Sequence, residues 1–335
     1  MGELSIYDVA KAAGVHSSTV SRAFSRPGAV KAATRERILR IADELGYRVN
    51  PLGQALRTRT SNLVPLILPD ITNPFYGELA KVTAHAAGAR GYQLVLCVTE
   101  GGADQTSGYL ATMDSLFSPF AIVAPSTRLD HEALGRSPLA KRMVVIDRVP
   151  PELDVPTISI DNARGIQLSM DHLLELGHRS IAYLTGNVGT FSARDRLQAY
   201  EQHARAHDIE PIVIQGGYET EASRAAASTY LSLARRPTGV LASNDMAAFG
   251  FVSQVAERGI RVPEDLSVVG FDGVGVGANF NPSLTTVLQP FEQLGHLAID
   301  LAERYVASGV IEHVLLVPEL ERRRSTAPPT RTPQN

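Results

Sequence analysis

The chain of 335 residues has a single cysteine and no apolar run near the roughly 20 residues that span a bilayer. One cysteine excludes an intramolecular disulfide and a cysteine-based metal cluster, and the apolar neighbours of Cys97 predict a buried strand position. The first residues lack the basic-then-apolar layout of a signal peptide. We therefore expect a cytoplasmic protein with no membrane partner.

Sequence motifs of common enzyme classes are also missing. The chain has no G-x-S-x-G elbow, no P-loop and no H-E-x-x-H, and His172 and His178 lie in a helical region far from any nucleophile motif. The sequence therefore predicts no catalytic residue, no cofactor and no metal site.

The charge is unevenly distributed along the chain. Residues 1–60 carry ten lysines and arginines against five acidic residues, which gives this segment a net charge of +5 and leaves −8 for the rest. A basic head on an acidic body suits contact between the head and a polyanion such as DNA. The charge alone fits a solvated basic face equally well.

Apolar spacing predicts three helices in the head. Ile6, Val9, Ala10 and Ala13 recur at helical intervals, and Gly14 breaks the pattern before a second short helix. A third helix is predicted from about Ala33 to Leu45, with Gly46 as its stop. Three helices in about 45 residues suggest a recognition module, because so small a core is hard to maintain alone.

The second helix presents small hydroxyl side chains and one arginine, namely Ser17, Ser18, Ser21 and Arg22. Such hydroxyls approach base edges and phosphates closely, and a guanidinium can form paired hydrogen bonds with guanine. This face therefore has the chemistry of a helix that lies in the major groove.

Five motifs follow one another in the head: Ile6-Tyr7-Asp8-Val9-Ala10, Ala13-Gly14-Val15, Ser18-Thr19-Val20-Ser21-Arg22, Thr34-Arg35-Glu36-Arg37 and Glu44-Leu45-Gly46-Tyr47. This ordered set resembles the helix-turn-helix head of the LacI/GalR family of transcriptional regulators. The resemblance implies base contacts by Ser17, Ser18 and Arg22. It implies DNA-backbone contacts by Tyr7, Thr19, Ser21 and Tyr47. His16 stands where that family usually has serine.

The segment from Asn50 to Thr58 resembles the hinge of the same family. The resemblance implies that this segment contacts DNA through Asn50 and forms a helix in the minor groove, with Leu56 as an apolar wedge that kinks the duplex. The alternative is a plain interdomain linker. Gly53 weakens a helix interior by roughly 0.5 to 1 kcal/mol, so we expect the hinge to be disordered off DNA.

From Asn62 onward apolar strands alternate with helical stretches, which predicts a doubly wound α/β body. Two series of four strands indicate two similar lobes. The predicted strands are 63–68, 93–98, 121–124 and 143–146 in the first series and 180–185, 211–215, 239–242 and 266–271 in the second.

Polar residues cluster where these strands end, and ligands of such sheets bind outside the carboxyl ends of the strands. Asp, Asn and Arg side chains can engage adjacent hydroxyls in pairs, and an aromatic ring such as Phe75 can cover the apolar face of a sugar. A carbohydrate ligand is the expectation. Each polar residue taken alone could equally be a helix cap or a turn residue.

Eight body motifs also resemble the LacI/GalR regulatory domain, which is periplasmic-binding-protein-like. They include Pro69-Asp70-Ile71-Thr72-Asn73-Pro74-Phe75, Ile146-Asp147-Arg148, Ala242-Ser243-Asn244-Asp245 and Gly270-Phe271-Asp272. The resemblance implies effector contacts by Asp147, Arg196, Asn244 and Asp272, followed by Asn73, Phe75, Asp161, Phe191, Tyr218 and Gln289. Gly273 departs from the family's frequent second aspartate.

The resemblance implies a helix-turn-helix domain at residues 1–48, a hinge at 49–60 and an effector-binding and dimerisation domain at 61–328. Lobe one would hold residues 61–158 and 290–317, and lobe two 159–289 and 318–328, before a disordered tail at 329–335. Since no apolar heptads of a tetramerisation tail follow, a homodimer is expected.

The predicted function is therefore sequence-specific repression of transcription. A dimer would bind a near-palindromic operator in double-stranded DNA, under allosteric control by a sugar or sugar derivative. The alternative within this class is a co-repressor-dependent regulator that senses a purine or another non-sugar metabolite. A periplasmic sugar-binding protein would share the body, but it would carry a signal peptide and no helix-turn-helix.

Overall fold

A computed structural model of the chain describes residues 4–25, 27–48, 51–100, 103–125, 137–147, 154–218 and 220–330. The chain divides after Ser61 into two compact units. The first is helical, and the second is built on two mainly parallel β-sheets.

The first unit contains four helices: α1 (Ile6–Ala13), α2 (Ser17–Ser25), α3 (Ala32–Leu45) and α4 (Pro51–Thr58). The Asp8 carboxylate accepts a hydrogen bond from the Ser5 backbone N–H at 2.9 Å and so satisfies a donor at the start of α1. The left-handed conformation that Gly14 adopts, with φ of 61°, ends α1 at the predicted turn. Gly46, with φ of 73°, ends α3 in the same way.

Small apolar side chains from α1, α2 and α3 form the core of this unit. Val9, Val20, Ala23 and Ile38 are fully buried, and Ala10, Ala13 and Ala42 complete the cluster. Full burial of a valine or isoleucine stabilises a fold by about 1.5 to 3 kcal/mol, so these few side chains supply much of the stability of the unit. Leu45, the last residue of α3, is 37% exposed.

The second unit contains twelve strands among the described residues. The first sheet has the order β11-β5-β4-β3-β1-β2 with every neighbouring pair parallel. Its strands are β1 (Leu63–Leu68), β2 (Gln93–Val98), β3 (Ala121–Val123), β4 (Met143–Ile146), β5 (Thr157–Ile160) and β11 (His313–Leu316).

The second sheet has the order β12-β10-β9-β8-β6-β7, and only the edge strand β12 is antiparallel to its neighbour. Its strands are β6 (Ile181–Leu184), β7 (Ile212–Ile214), β8 (Gly239–Ala242), β9 (Ser267–Asp272), β10 (Thr285–Leu288) and β12 (Glu319–Glu321). The chain thus passes from one sheet to the other after β5, after β10 and after β11.

Among the described residues, eight α-helices and a 3-10 helix (Pro138–Arg142) connect these strands. The α-helices are α5 (Pro74–Ala89), α6 (Ala103–Ser115), α7 (Asn162–Glu175), α8 (Phe191–Ala206), α9 (Thr220–Ser232), α10 (Asp245–Ala256), α11 (Val276–Asn279) and α12 (Phe291–Ser308). Helix α12 packs against α5 so closely that a Cβ at Gly295 would lie 2.8 Å from the Val82 carbonyl carbon. Among the described residues, no helix is both long and apolar enough to cross a lipid bilayer.

Several expectations can be compared directly with these elements. The α/β body with two sheets is confirmed, and so is the burial of Cys97, which lies in β2. Strands β5, β10, β11 and β12 were not predicted from apolar runs, because each begins with Thr, His or Glu, which shortens its apolar run. Pro329 and Thr330, at the start of the predicted tail, are described, and the Thr330 hydroxyl donates to the Glu264 carbonyl at 3.4 Å.

The hinge segment is helical over Pro51–Thr58. A proline at the first helical position favours initiation, because its missing N–H would have no partner there and its φ already suits a helix. Ala55 is buried within the first unit. Arg57 donates to the Ser21 hydroxyl at 2.6 Å, which holds the helix against α2. Asn50 lies outside the described residues.

Candidate functional site

A narrow polar cleft lies at the carboxyl ends of strands from both sheets. Residues that follow β1, β4, β7, β8 and β10 line it, together with the last residue of β9 and side chains in the first turns of α8. The lining residues are Asn73, Phe75, Asp147, Ser192, Arg196, Tyr218, Asn244, Asp272 and Gln289. Eight of these nine were predicted as effector contacts, and Ser192 is the additional one.

Arg196 is the fixed cation of the cleft. It is 97% buried, and its Nε donates to Asn162 Oδ1 at 2.7 Å while Nη1 donates to the Ser243 carbonyl at 2.6 Å. Its guanidinium carbon lies 3.6 Å from the centre of the Phe271 ring, a cation–π contact. These contacts orient the guanidinium before any ligand arrives.

Asp272 faces Arg196 at the end of β9, with 3.9 Å between Arg196 Nη1 and Asp272 Oδ1. Burial raises the pKa of Asp272 well above its ordinary value; Arg196 opposes this rise, while Asp245 and Asp147 add to it. Gln289 donates its Nε2–H to Asp272 Oδ1 at 2.7 Å.

The side-chain oxygen of Gln289 lacks a partner. Gln289 Oε1 is buried, and no donor among the described residues hydrogen-bonds to it. A buried acceptor without a donor costs about 1 to 3 kcal/mol. A ligand hydroxyl or N–H in the cleft would remove this cost.

Two asparagines combine helix capping with a place in the cleft wall. Asn73 accepts from the Phe75 N–H at the start of α5, and Asn244 accepts from the Ala247 N–H at the start of α10. The Asn244 amide also donates to the Tyr218 carbonyl at 3.3 Å. From the sequence alone, a helix cap and a ligand contact were alternatives for each asparagine. Here one side chain can do both, because its amide group has a second polar atom.

Asp161 and Phe191, two further predicted effector contacts, are not among the residues that line the cleft. Asp161 caps α7 by accepting from the Arg164 N–H at 2.8 Å. The ring of Phe191 lies under the guanidinium of Arg194, at 4.6 Å. Asp70, which also follows β1, accepts from the N–H of Thr72 in a turn.

Asp245 lies beneath the cleft wall instead of in it. It is fully buried, and it accepts from the Thr286 hydroxyl at 2.5 Å and from the Val274 N–H at 2.9 Å. Burial raises the pKa of Asp245 to about 7, against the lowering effect of these hydrogen bonds. By holding the turn after β9, Asp245 supports Asp272, a role that no pattern in the sequence indicated.

The backbone at Gly273 accounts for a glycine where the family often has aspartate. It has φ of 76°, and a Cβ there would lie 2.5 Å from Leu288 Cδ2 and 3.0 Å from Leu288 Cα. An aspartate at this position would therefore be strained in this backbone.

The predicted DNA contacts of the first unit differ in exposure. Tyr7, Ser18 and Arg22 are exposed, whereas the other three on α2, Ser17, Thr19 and Ser21, and Tyr47 are half-buried. The Tyr47 ring packs edge-on against Phe24 with 6.0 Å between centres. On α4, Leu56 is 69% exposed, which makes it a large apolar side chain that the core of this unit does not bury.

His16 caps α2 in place of the usual serine. Its Nδ1 accepts from the Ser18 N–H at 3.3 Å and lies 2.9 Å from the Ser18 hydroxyl. The imidazole nitrogen thus takes the part of a capping oxygen. This contact also restrains the hydroxyl of a predicted base-contacting residue.

Comparison with known proteins agrees with this geometry. Residues 5–50 match the family model of "bacterial regulatory proteins, lacI family", and residues 170–326 match a periplasmic binding protein-like domain. The transcriptional regulator DegA of Bacillus subtilis is 32% identical over 96% of this chain and 98% of its own length. The chain belongs to the LacI family.

Other members are similar over most of their length. The ribose operon repressor of Halalkalibacterium halodurans is 32% identical over 88% of both chains, and the HTH-type transcriptional repressor PurR of Photobacterium profundum is 30% identical over 88% of this chain and 90% of its own. This LacI-family chain is accordingly a DNA-binding transcriptional regulator.

Solved structures agree in fold. The lac repressor dimer bound to operator and the anti-inducer ONPF superposes with a TM-score of 0.86 at 26% identity, covering 97% of this chain and all of that one. A LacI-family regulator from Enterococcus faecium with bound ribose gives a TM-score of 0.72 at 26% identity, covering 79% of this chain and 99% of that one.

Proposed function

We propose that this LacI-family regulator represses transcription from a near-palindromic operator. A small polyhydroxylated ligand held in the cleft would change the affinity of the protein for this operator, in either direction. The carrying observation is the buried Gln289 Oε1 without a donor, beside the Arg196–Asp272 pair. These groups offer a carboxylate, a guanidinium and an amide oxygen within one buried polar space.

The chemistry of the cleft favours a carbohydrate. Asp272 can accept from one ligand hydroxyl while Arg196 donates to the next, and Asp147 and Asn244 can repeat the pattern on the other side. Phe75 supplies an apolar surface for a sugar ring. The ribose operon repressor and the ribose-bound Enterococcus faecium regulator support a sugar of similar size.

The head would read DNA as the family does. We assign base contacts to Ser17, Ser18 and Arg22, and backbone contacts to Tyr7, Thr19, Ser21 and Tyr47. The exposed Leu56 would enter the minor groove as an apolar wedge, and Asn50 at the start of the hinge would add a DNA contact. The basic charge of residues 1–60 supports binding to a polyanion.

A homodimer fits a near-palindromic site, because a two-fold axis presents two recognition helices to two half-sites. The lac repressor dimer on its operator supports this assembly. A protein that reads operator DNA works in the cytoplasm, at the nucleoid. The assignment needs no catalytic step and no cofactor, and its relatives are regulators.

Two lobes would couple the cleft to the hinge. We divide the body as residues 61–158 with 290–317 and residues 159–289 with 318–328, so that the cleft lies between the lobes and a ligand can change their relative orientation. Coupling requires only that the ligand bind one orientation better than the other.

The test is calorimetry on the full chain with pentoses, hexoses, their phosphates, nucleosides and nucleobases. Operator DNA selected from a random pool is then titrated by fluorescence anisotropy with and without the ligand found. We expect a sugar to bind and to change operator affinity. If a purine binds and no sugar does, the co-repressor alternative replaces this proposal.

Variants locate the ligand within the protein. Asp272→Asn replaces one buried acceptor oxygen of the cleft with a donor and should weaken ligand binding by about 1 to 3 kcal/mol. Asp70→Asn is the matched control, because Asp70 caps a turn outside the cleft lining. Equal ligand affinity in wild type and Asp272→Asn would show that the ligand binds elsewhere.

A further inference from the structure

Two histidines and an aspartate meet on the second unit outside the cleft lining. Asp171 lies on α7, His203 lies in the last turn of α8, and His207 is the residue that caps α8. One ligand atom of each, a carboxylate oxygen or an imidazole nitrogen, lies within 4.8 Å of the other two. None of the three side chains belongs to the effector cleft.

Local structure brings the three groups together. His203 and His207 are four residues apart, so one turn of helix places them on the same side of α8, with 4.7 Å between ring centres. Helix α7 packs along α8, and His203 Nε2 lies 2.8 Å from Asp171 Oδ1. His207 and Asp171 border the same surface depression.

Two imidazoles and one carboxylate are a ligand set for transition metals. Zn²⁺ binds imidazole nitrogen at about 2.0 to 2.1 Å and carboxylate oxygen at a similar distance, which in a tetrahedral site separates ligand atoms by about 3.3 Å. The 2.8 Å between His203 Nε2 and Asp171 Oδ1 is shorter than that value, and the limit of 4.8 Å on the other distances is longer. Because His207 is exposed, rotation of its side chain can close the site. Mg²⁺ and Ca²⁺ prefer oxygen ligands only.

The surroundings also favour a cation. The site lies at the C-terminal end of α8, a helix of 16 residues, where the last carbonyl groups carry partial negative charge. Glu175 and Asp208 border the same depression and add negative charge, against one cation there, Arg179. Arg205, in the last turn of α8, is paired with Glu201.

We propose that Asp171, His203 and His207 bind one divalent transition-metal ion, with Zn²⁺ as the best match. Three protein ligands leave a fourth position for water. The ion would join α7 to the end of α8, two helices that otherwise pack through apolar side chains and polar contacts.

The metal site would lie on the same helix pair that orients the cleft arginine. Asn162, at the first position of α7, accepts from Arg196 on α8. Asp171 is nine residues further along α7, about 13 Å at 1.5 Å per residue. A bound ion would therefore hold α7 and α8 together at the end opposite the Asn162–Arg196 contact.

The test uses the full chain without a histidine tag, stripped of metal with a chelator. Zn²⁺ is titrated in competition with a chromophoric chelator, and we expect one ion per chain together with a higher melting temperature. His207→Ala and Asp171→Asn should each weaken Zn²⁺ affinity by at least about tenfold. Removal of a residue that only hydrogen-bonds to a metal ligand already weakens affinity by about 10- to 100-fold.

His296→Ala is the matched control. His296 is also an exposed histidine on a helix, and its Nε2 lies 4.0 Å from a carboxylate oxygen of Glu292. It does not belong to the cluster of Asp171, His203 and His207. Its removal should leave Zn²⁺ affinity unchanged. The electron paramagnetic resonance spectrum of the Cu²⁺-loaded wild type should show coupling to two nitrogens, and that of His207→Ala to one.

Unchanged Zn²⁺ affinity in His207→Ala would overturn the proposal, as would the absence of saturable binding to the wild type. His207 is exposed and is the cap of α8, so its variant is expected to fold; circular dichroism checks this before titration. The proposal does not depend on the effector, because the metal titration is done without a sugar.

Discussion

Two aspartates of the cleft hold backbone conformations that L-residues rarely adopt. Asp147 has φ of 69° and Asp272 has φ of 123°, each directly after or at the end of a strand. Non-glycine residues in this region cost of order 1 to 3 kcal/mol and persist where the surroundings hold them in place. Here the strain turns two carboxylates toward the cleft, which supports a binding role for both.

The support beneath Asp272 predicts a pH-dependent stability. Asp245 has a pKa of about 7 in the folded chain, above the ordinary value of 3.8, so between these pH values the folded state keeps a proton that the unfolded state has lost. The stabilisation that comes from the raised pKa of Asp245 is complete below about pH 4 and is lost as the pH rises to about 7. Asp245→Asn lacks this titration.

We therefore expect the stability of wild type relative to Asp245→Asn to fall by up to about 4 kcal/mol as pH rises through this window, at 1.36 kcal/mol per pKa unit. Denaturant unfolding of both proteins at pH 5, 6, 7 and 8 measures the difference. A difference that stays constant across this range would mean that Asp245 is ionised throughout.

Arg22 predicts a loss of sequence discrimination. It is exposed on α2, and the hypothesis of direct base readout means that Arg22→Ala should cost about 1 to 3 kcal/mol per half-site and relax specificity at one base position. Anisotropy titrations on operator and on random DNA, each at several salt concentrations, separate the two roles. Equal losses on both DNAs, with a smaller salt slope, would identify Arg22 as a phosphate contact.

At the scale of elements, α4 is a helix whose large apolar side chain has no partner in the core. Leu56 is 69% exposed while its neighbour Ala55 is buried. Leu56→Ala should therefore leave the stability of the first unit almost unchanged, since exposed positions vary within about 0.5 kcal/mol. It should weaken operator binding, because the minor-groove wedge is lost.

The measurement pairs operator anisotropy with thermal unfolding and effector calorimetry on Leu56→Ala. Effector affinity in the DNA-free protein should match wild type. If effector affinity falls together with operator affinity, Leu56 acts on the body and not as a DNA wedge.

The whole molecule predicts separable functions, because the chain divides after Ser61 into two compact units. A fragment of residues 62–335 contains the entire cleft lining and should keep the effector affinity of the full chain. It should lose operator binding, since α2 and α4 are removed. Calorimetry and footprinting on the fragment test both statements, and operator protection by the fragment would refute the assignment of DNA reading to the head.

How much the sequence predicted depended on the range of the interactions. The three head helices and most long strands were predicted well, because apolar periodicity and glycine stops act within about ten residues. Strands such as β5 and β12 have three or four residues, and their pairing with β11 and β10 depends on chain segments far away in sequence. Short apolar patterns do not contain that information.

The sequence by itself determined the helix-turn-helix head, the α/β body and most of the residues that line the cleft. Only the tertiary structure decided which aspartates serve which purpose: Asp272 faces the cleft, Asp245 supports it from below and Asp161 caps a helix. It also brought Asp171 to His203, 32 residues away. Periodicity and caps depend on neighbours along the chain, whereas burial and the meeting of distant side chains depend on how the helices and sheets pack.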